Sequence, residues 1–176
     1  MKIEVGRYEM DLDFDPRIQN NASDKMIPID DIGFIYNCVF KQKKAFEHSV
    51  EAIRRVYRDA KIYVVSDGGL DYSYMEDENL KFSMEEDTVS PARAVNGDNF
   101  ETPEHQKIIK TGMAATLRRL EAGIEYCGNP EWICMTEPDV LIRGKISHPE
   151  GAKLLGTRVN CAWYTETCLD MFMGCL

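Results

Sequence analysis

Between residues 32 and 65 the hydrophobic pattern changes period twice, and no other feature limits the fold as much. Ile32-Gly33-Phe34-Ile35-Tyr36-Asn37-Cys38-Val39-Phe40 is nearly continuously apolar, as a strand buried on both faces must be. From Lys43 to Tyr57 the period becomes helical: Phe46, Val50, Ile53 and Val56/Tyr57 form one stripe, with Glu47, Glu51, Arg54 and Arg55 outside it. Lys61-Ile62-Tyr63-Val64-Val65 is a second short strand, ending in Ser66-Asp67-Gly68-Gly69. Strand, helix and strand in close succession make a βαβ unit, with parallel strands and a right-handed crossover.

The remainder extends that unit. Met1 to Asp15 alternates and predicts an edge strand or hairpin. Leu80-Lys81-Phe82-Ser83 is a short third strand, followed by a long loop from Glu85 to Asn99. Thr102-Pro103 starts a helix, Thr as N-cap and Pro at the first position. Its expected buried stripe is Ile109, Met113, Thr116/Leu117, Leu120 and Ile124, with Gly123 marking its end. Gly112, Ala114 and Ala115 leave this helix thin, so a packed neighbour or a ligand can approach its backbone. Glu131 to Ile142 is the next strand, interrupted by Glu137-Pro138-Asp139, because Pro138 cannot donate to a ladder. Lys153 to Gly156 is a further short strand, and Val159 to Leu176 shows no clear period. Alternating strands and helices imply an α/β sandwich on a mostly parallel sheet with helices on both faces.

Composition narrows the function. The 176 residues carry a net charge of −9, which argues against a nucleic-acid partner. The six cysteines form no C-x-x-C pair, and no histidine sits at zinc-finger spacing. The N-terminus is charged without an apolar signal core, and no apolar run approaches a membrane span, so a cytoplasmic location is expected.

In open parallel sheets ligands sit beyond the carboxyl ends of the strands. Three polar tips would line that edge: Asn37 to Phe40, Ser66 to Gly69, and Glu137-Pro138-Asp139. The last reads equally as an acidic turn or as a hard-cation site, since two carboxylates one residue apart suit Mg²⁺ or Mn²⁺. Neither a G-x-G-x-x-G nor a G-x-x-x-x-G-K-[ST] follows the first strand, so neither phosphate-binding glycine loop applies. A nucleotide here would be held by side chains through its base and ribose, with a metal on its phosphates.

The order strand–helix–strand–Ser66-Asp67-Gly68-Gly69, Ala/Gly-thinned helix, strand–Glu137-Pro138-Asp139 resembles the nucleotide-binding half of a GT-A-fold glycosyltransferase, across residues 32–160. That family's signature is Asp-x-Asp; here Glu137 replaces the first acid. The resemblance implies a Rossmann-like GT-A fold forming one nucleotide-sugar-binding domain over residues 1–176. It implies that Asn37, Val39, Phe40, Asp67 and Gly68 hold the base and ribose of a UDP- or GDP-sugar, with Lys110 near the donor. Glu137 would face the ribose or the metal, and Asp139 would ligate Mn²⁺ or Mg²⁺ across the diphosphate. Plainer readings stand beside these: Phe40 as core, Asp67 as a turn residue, Lys110 as a solvated helix lysine. His48, His105 and His148 read as surface residues, and Trp163 and Tyr164 as core or as a sugar platform.

Only 37 residues follow Asp139, and past the Glu150 turn Glu166 and Asp170 are the only acids. The catalytic base, the sugar and the glycan, protein or small-molecule acceptor are therefore not legible. Either the acceptor half is truncated, or another domain supplies it, or the protein binds donor without transfer. Two alternatives to a glycosyltransferase remain at this stage: a non-catalytic module binding a nucleotide sugar or a protein, and a nucleotidyltransferase. Lys41-Gln42-Lys43-Lys44 lacks the glycines that the last would need.

Overall fold

In the computed structural model, the structure describes residues 2–5, 8–11, 25–37, 43–67, 69–86, 88, 91, 102–138, 140–148, 150, 154–159 and 168–175. Of residues 2–5, 8–11, 67, 154–159 and 168–175 it describes the backbone alone. Ten strands are described, with two α-helices, α1 (Lys43–Val56) and α2 (Pro103–Tyr126). β1 (Lys2–Val5) and β2 (Tyr8–Asp11) pair antiparallel as the expected N-terminal hairpin.

The main sheet is built on β4 (Ile32–Tyr36), β5 (Ile62–Asp67), β6 (Leu80–Glu85) and β7 (Trp132–Met135), all mutually parallel. Their order in space is β6-β5-β4-β7. The chain therefore steps outward from β4 in one direction and then returns to its other side. Two further strands, β9 (Leu154–Val159) and β10 (Cys168–Cys175), complete the sheet beyond β7, with β10 antiparallel to both neighbours. β3 (Lys25–Met26) and β8 (Ser147–His148) form a separate two-residue ladder.

The period-2 geometry of a strand sends alternate side chains to opposite faces, and the two helices cover those faces. Phe34, Tyr36, Ile62, Val64, Trp132 and Cys134 share one core with Phe46, Val50 and Ile53 of α1. On that face Phe46 meets Tyr36 and Tyr72 edge-on, with ring centroids 5.0 and 4.6 Å apart. Ile35, Tyr63, Val65 and Ile133 form the opposite core, against Leu120 and Ile124 of α2. The chain is thus an α/β protein with four adjacent parallel strands between helices.

Several expectations are corrected. The first strand ends at Tyr36, and β7 ends at Met135; Val140 to Ile142 lie outside the ladder, although Ile142 is buried in the core. The helix α2 buries Gly112, Ala115, Arg119 and Gly123, whereas Met113 and Leu117 are 60% and 58% exposed. Leu120 and Ile124 of the expected stripe do pack on the sheet, but the fully buried positions beside them are small ones and Arg119, with Gly123 in close approach, and Met113 and Leu117 are turned away. Gly123 does not end α2. A Cβ there would stand 2.6 Å from Ile35 Cδ1 and 3.0 Å from Tyr63, so the glycine is a point of close contact. The helix stops instead at Gly128 and Asn129, whose φ values are +79° and +55°. β10 was not foreseen in the unpatterned tail, nor was the β3–β8 ladder.

Candidate functional site

Strand order decides where a site belongs. Neighbouring strands β4 and β7 are where the chain's direction of travel across the sheet reverses, and in open parallel sheets a ligand sits beyond the carboxyl ends of the strands at such a point. Ile35 is in register with Met135, and Thr136 N–H donates to Ile35 C=O at 3.0 Å. Asn37 and Glu137 therefore leave the sheet level with each other.

After β7 the chain reverses, with Val140 N–H donating to Glu137 C=O at 3.1 Å. Pro138 suits the second position of such a turn because its φ is preset. Ser49 of α1 fixes this turn by donating from Oγ to Val140 C=O. That spends the serine's one proton, so Tyr36, 2.6 Å away, is the donor to Ser49 Oγ. Burial raises the Tyr36 hydroxyl well above its ordinary pKa of 10.0, with the Ser49 hydrogen bond opposing.

On the other face α2 supplies a fully buried guanidinium. Arg119 Nε donates to Glu85 Oε2 at 2.9 Å, one terminal nitrogen to Asn37 C=O at 3.1 Å, and the other to Glu86 C=O at 3.2 Å. Arg118 reaches the same Glu85 oxygen at 3.2 Å from a more exposed position. A guanidinium is charged at every working pH and presents five donors, which suits it to tie several acceptors together. Here it joins the carboxyl ends of β4 and β6 across β5. Burial raises the nearby Tyr63 phenol; a Ser83 hydrogen bond and Arg119 oppose this and Glu85 adds to it.

Buried polar atoms without partners mark the same edge. Among the described residues, Asn37 Oδ1, Ser66 Oγ and Thr88 Oγ1 are buried without a hydrogen-bond partner, at or just past the ends of β4, β5 and β6, as is Tyr72 Oη. Such groups cost about 1–3 kcal/mol each when unmatched, so water or a ligand is the ordinary complement.

Among the sequence-expected residues, Asn37 lies just past the end of β4 and its Nδ2 donates to Thr116 C=O at 3.5 Å. Glu137 is half-buried at the turn. Asp67 ends β5 in register with Glu85, although its side chain lies outside the described residues, as do Val39, Phe40, Gly68 and Asp139. Lys110 is exposed on α2, six residues before Thr116. Since α2 runs antiparallel to the strands, Lys110 stands beyond the sheet's carboxyl edge. His48 is exposed beside Glu51, and His148 stacks on Trp132 at 4.7 Å. Arg119 and Ser49 were missed: each sits where helical period demands burial, and a polar residue at such a position is the signal.

Among the described residues no three His, Cys, Asp or Glu side chains converge as a metal cage. A cation bridging a diphosphate takes only one or two protein carboxylates, the phosphates completing its shell, so Glu137 and Asp139 are a chemically fitting donor set. Among the described residues no helix is long and apolar enough to cross a membrane.

No protein-family model and no curated protein matches the chain. A solved structure of a mutant transferase is similar at 12% identity and a TM-score of 0.41, over 91% of this chain and 74% of that one. That likeness is too slight to assign a fold family or an activity.

Proposed function

We propose that this chain is a metal-dependent glycosyltransferase with a GT-A-like domain, binding a UDP- or GDP-sugar at the carboxyl edge of β4 to β7. One observation carries the reading: an unmatched buried acceptor, Asn37 Oδ1, stands level with the acidic Glu137 turn at the reversal of strand order. A nucleotide sugar has the matching chemistry, hydrogen-bond donors on base and ribose and an anionic diphosphate that needs neutralising.

In this reading Asn37, Val39, Phe40, Asp67 and Gly68 hold the nucleoside, Lys110 lies near the donor, and Glu137 and Asp139 hold the ion. Bound Mn²⁺ or Mg²⁺ would supply charge stabilisation to the departing nucleoside diphosphate. The chain's own contribution is placement. The Tyr36–Ser49–Val140 hydrogen bonds hold the main chain at Val140, so the far end of the acidic turn is fixed before a ligand binds.

Thermal unfolding with UDP- and GDP-sugars, with and without Mn²⁺, tests this. Ligand at about 100 times its Kd adds about 2.7 kcal/mol, a rise of several degrees in Tm for a chain of this size. The rise is expected only with nucleotide sugar and Mn²⁺ together, and to vanish in Asp139→Ala. No rise with any nucleotide sugar would sink the reading. A rise without donor hydrolysis or transfer would favour a binding module.

A further inference from the structure

We propose that Arg119 is the positioning residue of this carboxyl edge and that it acts through Asn37. The inference rests on the nucleotide reading for its ligand but on α2 for its argument. Helix α2 grips Asn37 twice. Arg119 holds the main-chain carbonyl at 3.1 Å, and Thr116, one turn earlier, accepts from the side-chain Nδ2 at 3.5 Å. The Thr116 carbonyl can only accept, so it fixes which end of the amide faces the helix. Oδ1 is thereby turned the other way, buried and without a partner.

A fully buried cation is a costly way to pack a helix against a sheet, and an apolar residue often does as well. The three described partners of Arg119 give the guanidinium another use. Glu85 balances its charge, Glu86 C=O fixes its plane, and Asn37 C=O receives the remaining arm. The result is a rigid acceptor aimed at a ligand N–H or O–H. A ribose hydroxyl and a base N–H share that chemistry.

A double-mutant cycle on the full chain tests the proposal by calorimetric titration with UDP plus Mn²⁺ and with GDP plus Mn²⁺. Arg119→Lys keeps the charge and loses the fork. Arg119→Lys and Asn37→Ala are each expected to weaken binding about tenfold, and the double variant no more than either, because the two act through one hydrogen bond. A merely structural arginine would give multiplying effects, about a hundredfold together, and that result overturns the proposal. So does unchanged affinity in either single variant. The 2′-deoxy and 3′-deoxy nucleotides separate the two ligand sources: full affinity for both assigns the base N–H, and a loss with either equal to that of Asn37→Ala assigns the ribose.

If wild-type chain binds neither nucleotide, the functional reading fails and the positioning proposal is decided without ligand. The Asn37 side-chain amide, assigned by its loss in Asn37→Ala, is expected as a distinct, slowly exchanging pair in the ¹⁵N spectrum. In Arg119→Lys it should collapse to the position of a free asparagine; an unmoved pair overturns the proposal. Should Arg119→Lys not fold, Glu85→Gln loosens the same fork and carries the same expectations at smaller size.

Discussion

Helix α1 meets the sheet through Phe46, Val50 and Ile53, whereas the fully buried stripe of α2 is Gly112, Ala115, Arg119 and Gly123, with Leu120 and Ile124 packed on the sheet beside it. The first contact is a seal of large apolar side chains, in which almost every atom is worth its removal from water. The second trades that volume for proximity. Without side chains to hold it off, α2 lies close enough for Gly123 to touch Ile35 and for Arg119 to reach across three strand ends. The α1 face carries the larger apolar core and, through Ser49, tethers the acidic turn; the α2 face ties the ends of β4 and β6 together through Arg119.

That contrast can be broken at four points, from the largest effect to the smallest. Phe46→Ala empties the centre of the α1 face and is expected to cost about 3–5 kcal/mol, lowering Tm by roughly 10 °C. Thermal unfolding measures it, and a fall of only about a degree or two would show that the α1 face does not carry the core. Arg119→Met removes one partner of a buried pair. Such losses run to about 3–5 kcal/mol, and about 3 is expected here because Glu85 retains 26% exposure. Denaturant unfolding measures it, and a neutral or stabilising result would make the guanidinium dispensable to the fold.

The third point is alkaline pH. Burial pushes the Cys134 thiol, in the α1 core, and the Cys127 thiol, at the end of α2, each up to about 12 from 9.0. Folding holds both as thiols, while the unfolded chain ionises first. Their contribution to stability is whole below pH 9 and falls as pH rises from 9 to 12. Unfolding midpoints at pH 7.5 and 10 should differ in that direction, and less so in Cys134→Ala; a flat profile would contradict the burial. Last, Gly123→Ala gains helix propensity but crowds Ile35, a net loss of about 1 kcal/mol. Met113→Gln on the exposed side of the same helix should stay within about 0.5 kcal/mol, and a larger change would show that this side is covered.

Periodicity made the parallel core legible because it reports burial directly. The run from Ile32 and the stripe Phe46, Val50, Ile53 have only one way to hide from water. The same reasoning misplaced the stripe of α2, since it equates large with buried. A helix that packs through glycine and alanine reverses that equation at Met113 and Leu117. β10 escaped because an antiparallel strand added next to β7 needs a partner and not a pattern of its own. At the site, Asn37 and Glu137 were visible as polar ends of apolar runs. Arg119 and Ser49 were not, because what distinguishes them is a partner distant in sequence: Asn37 is 82 residues from Arg119, and Val140 is 91 from Ser49.

The direction of the Tyr36–Ser49–Val140 hydrogen bonds has one more consequence. The chain of donors starts at a phenol that burial keeps protonated and stops at a peptide carbonyl, which does not titrate. The tether of the acidic turn is therefore silent to acid and base across the physiological range. A pH dependence of ligand binding would then not originate in this tether. Tyr36→Phe should weaken the frame yet leave the shape of an affinity profile from pH 5 to 9 unaltered. A displaced profile would reveal a proton moving where the geometry allows none.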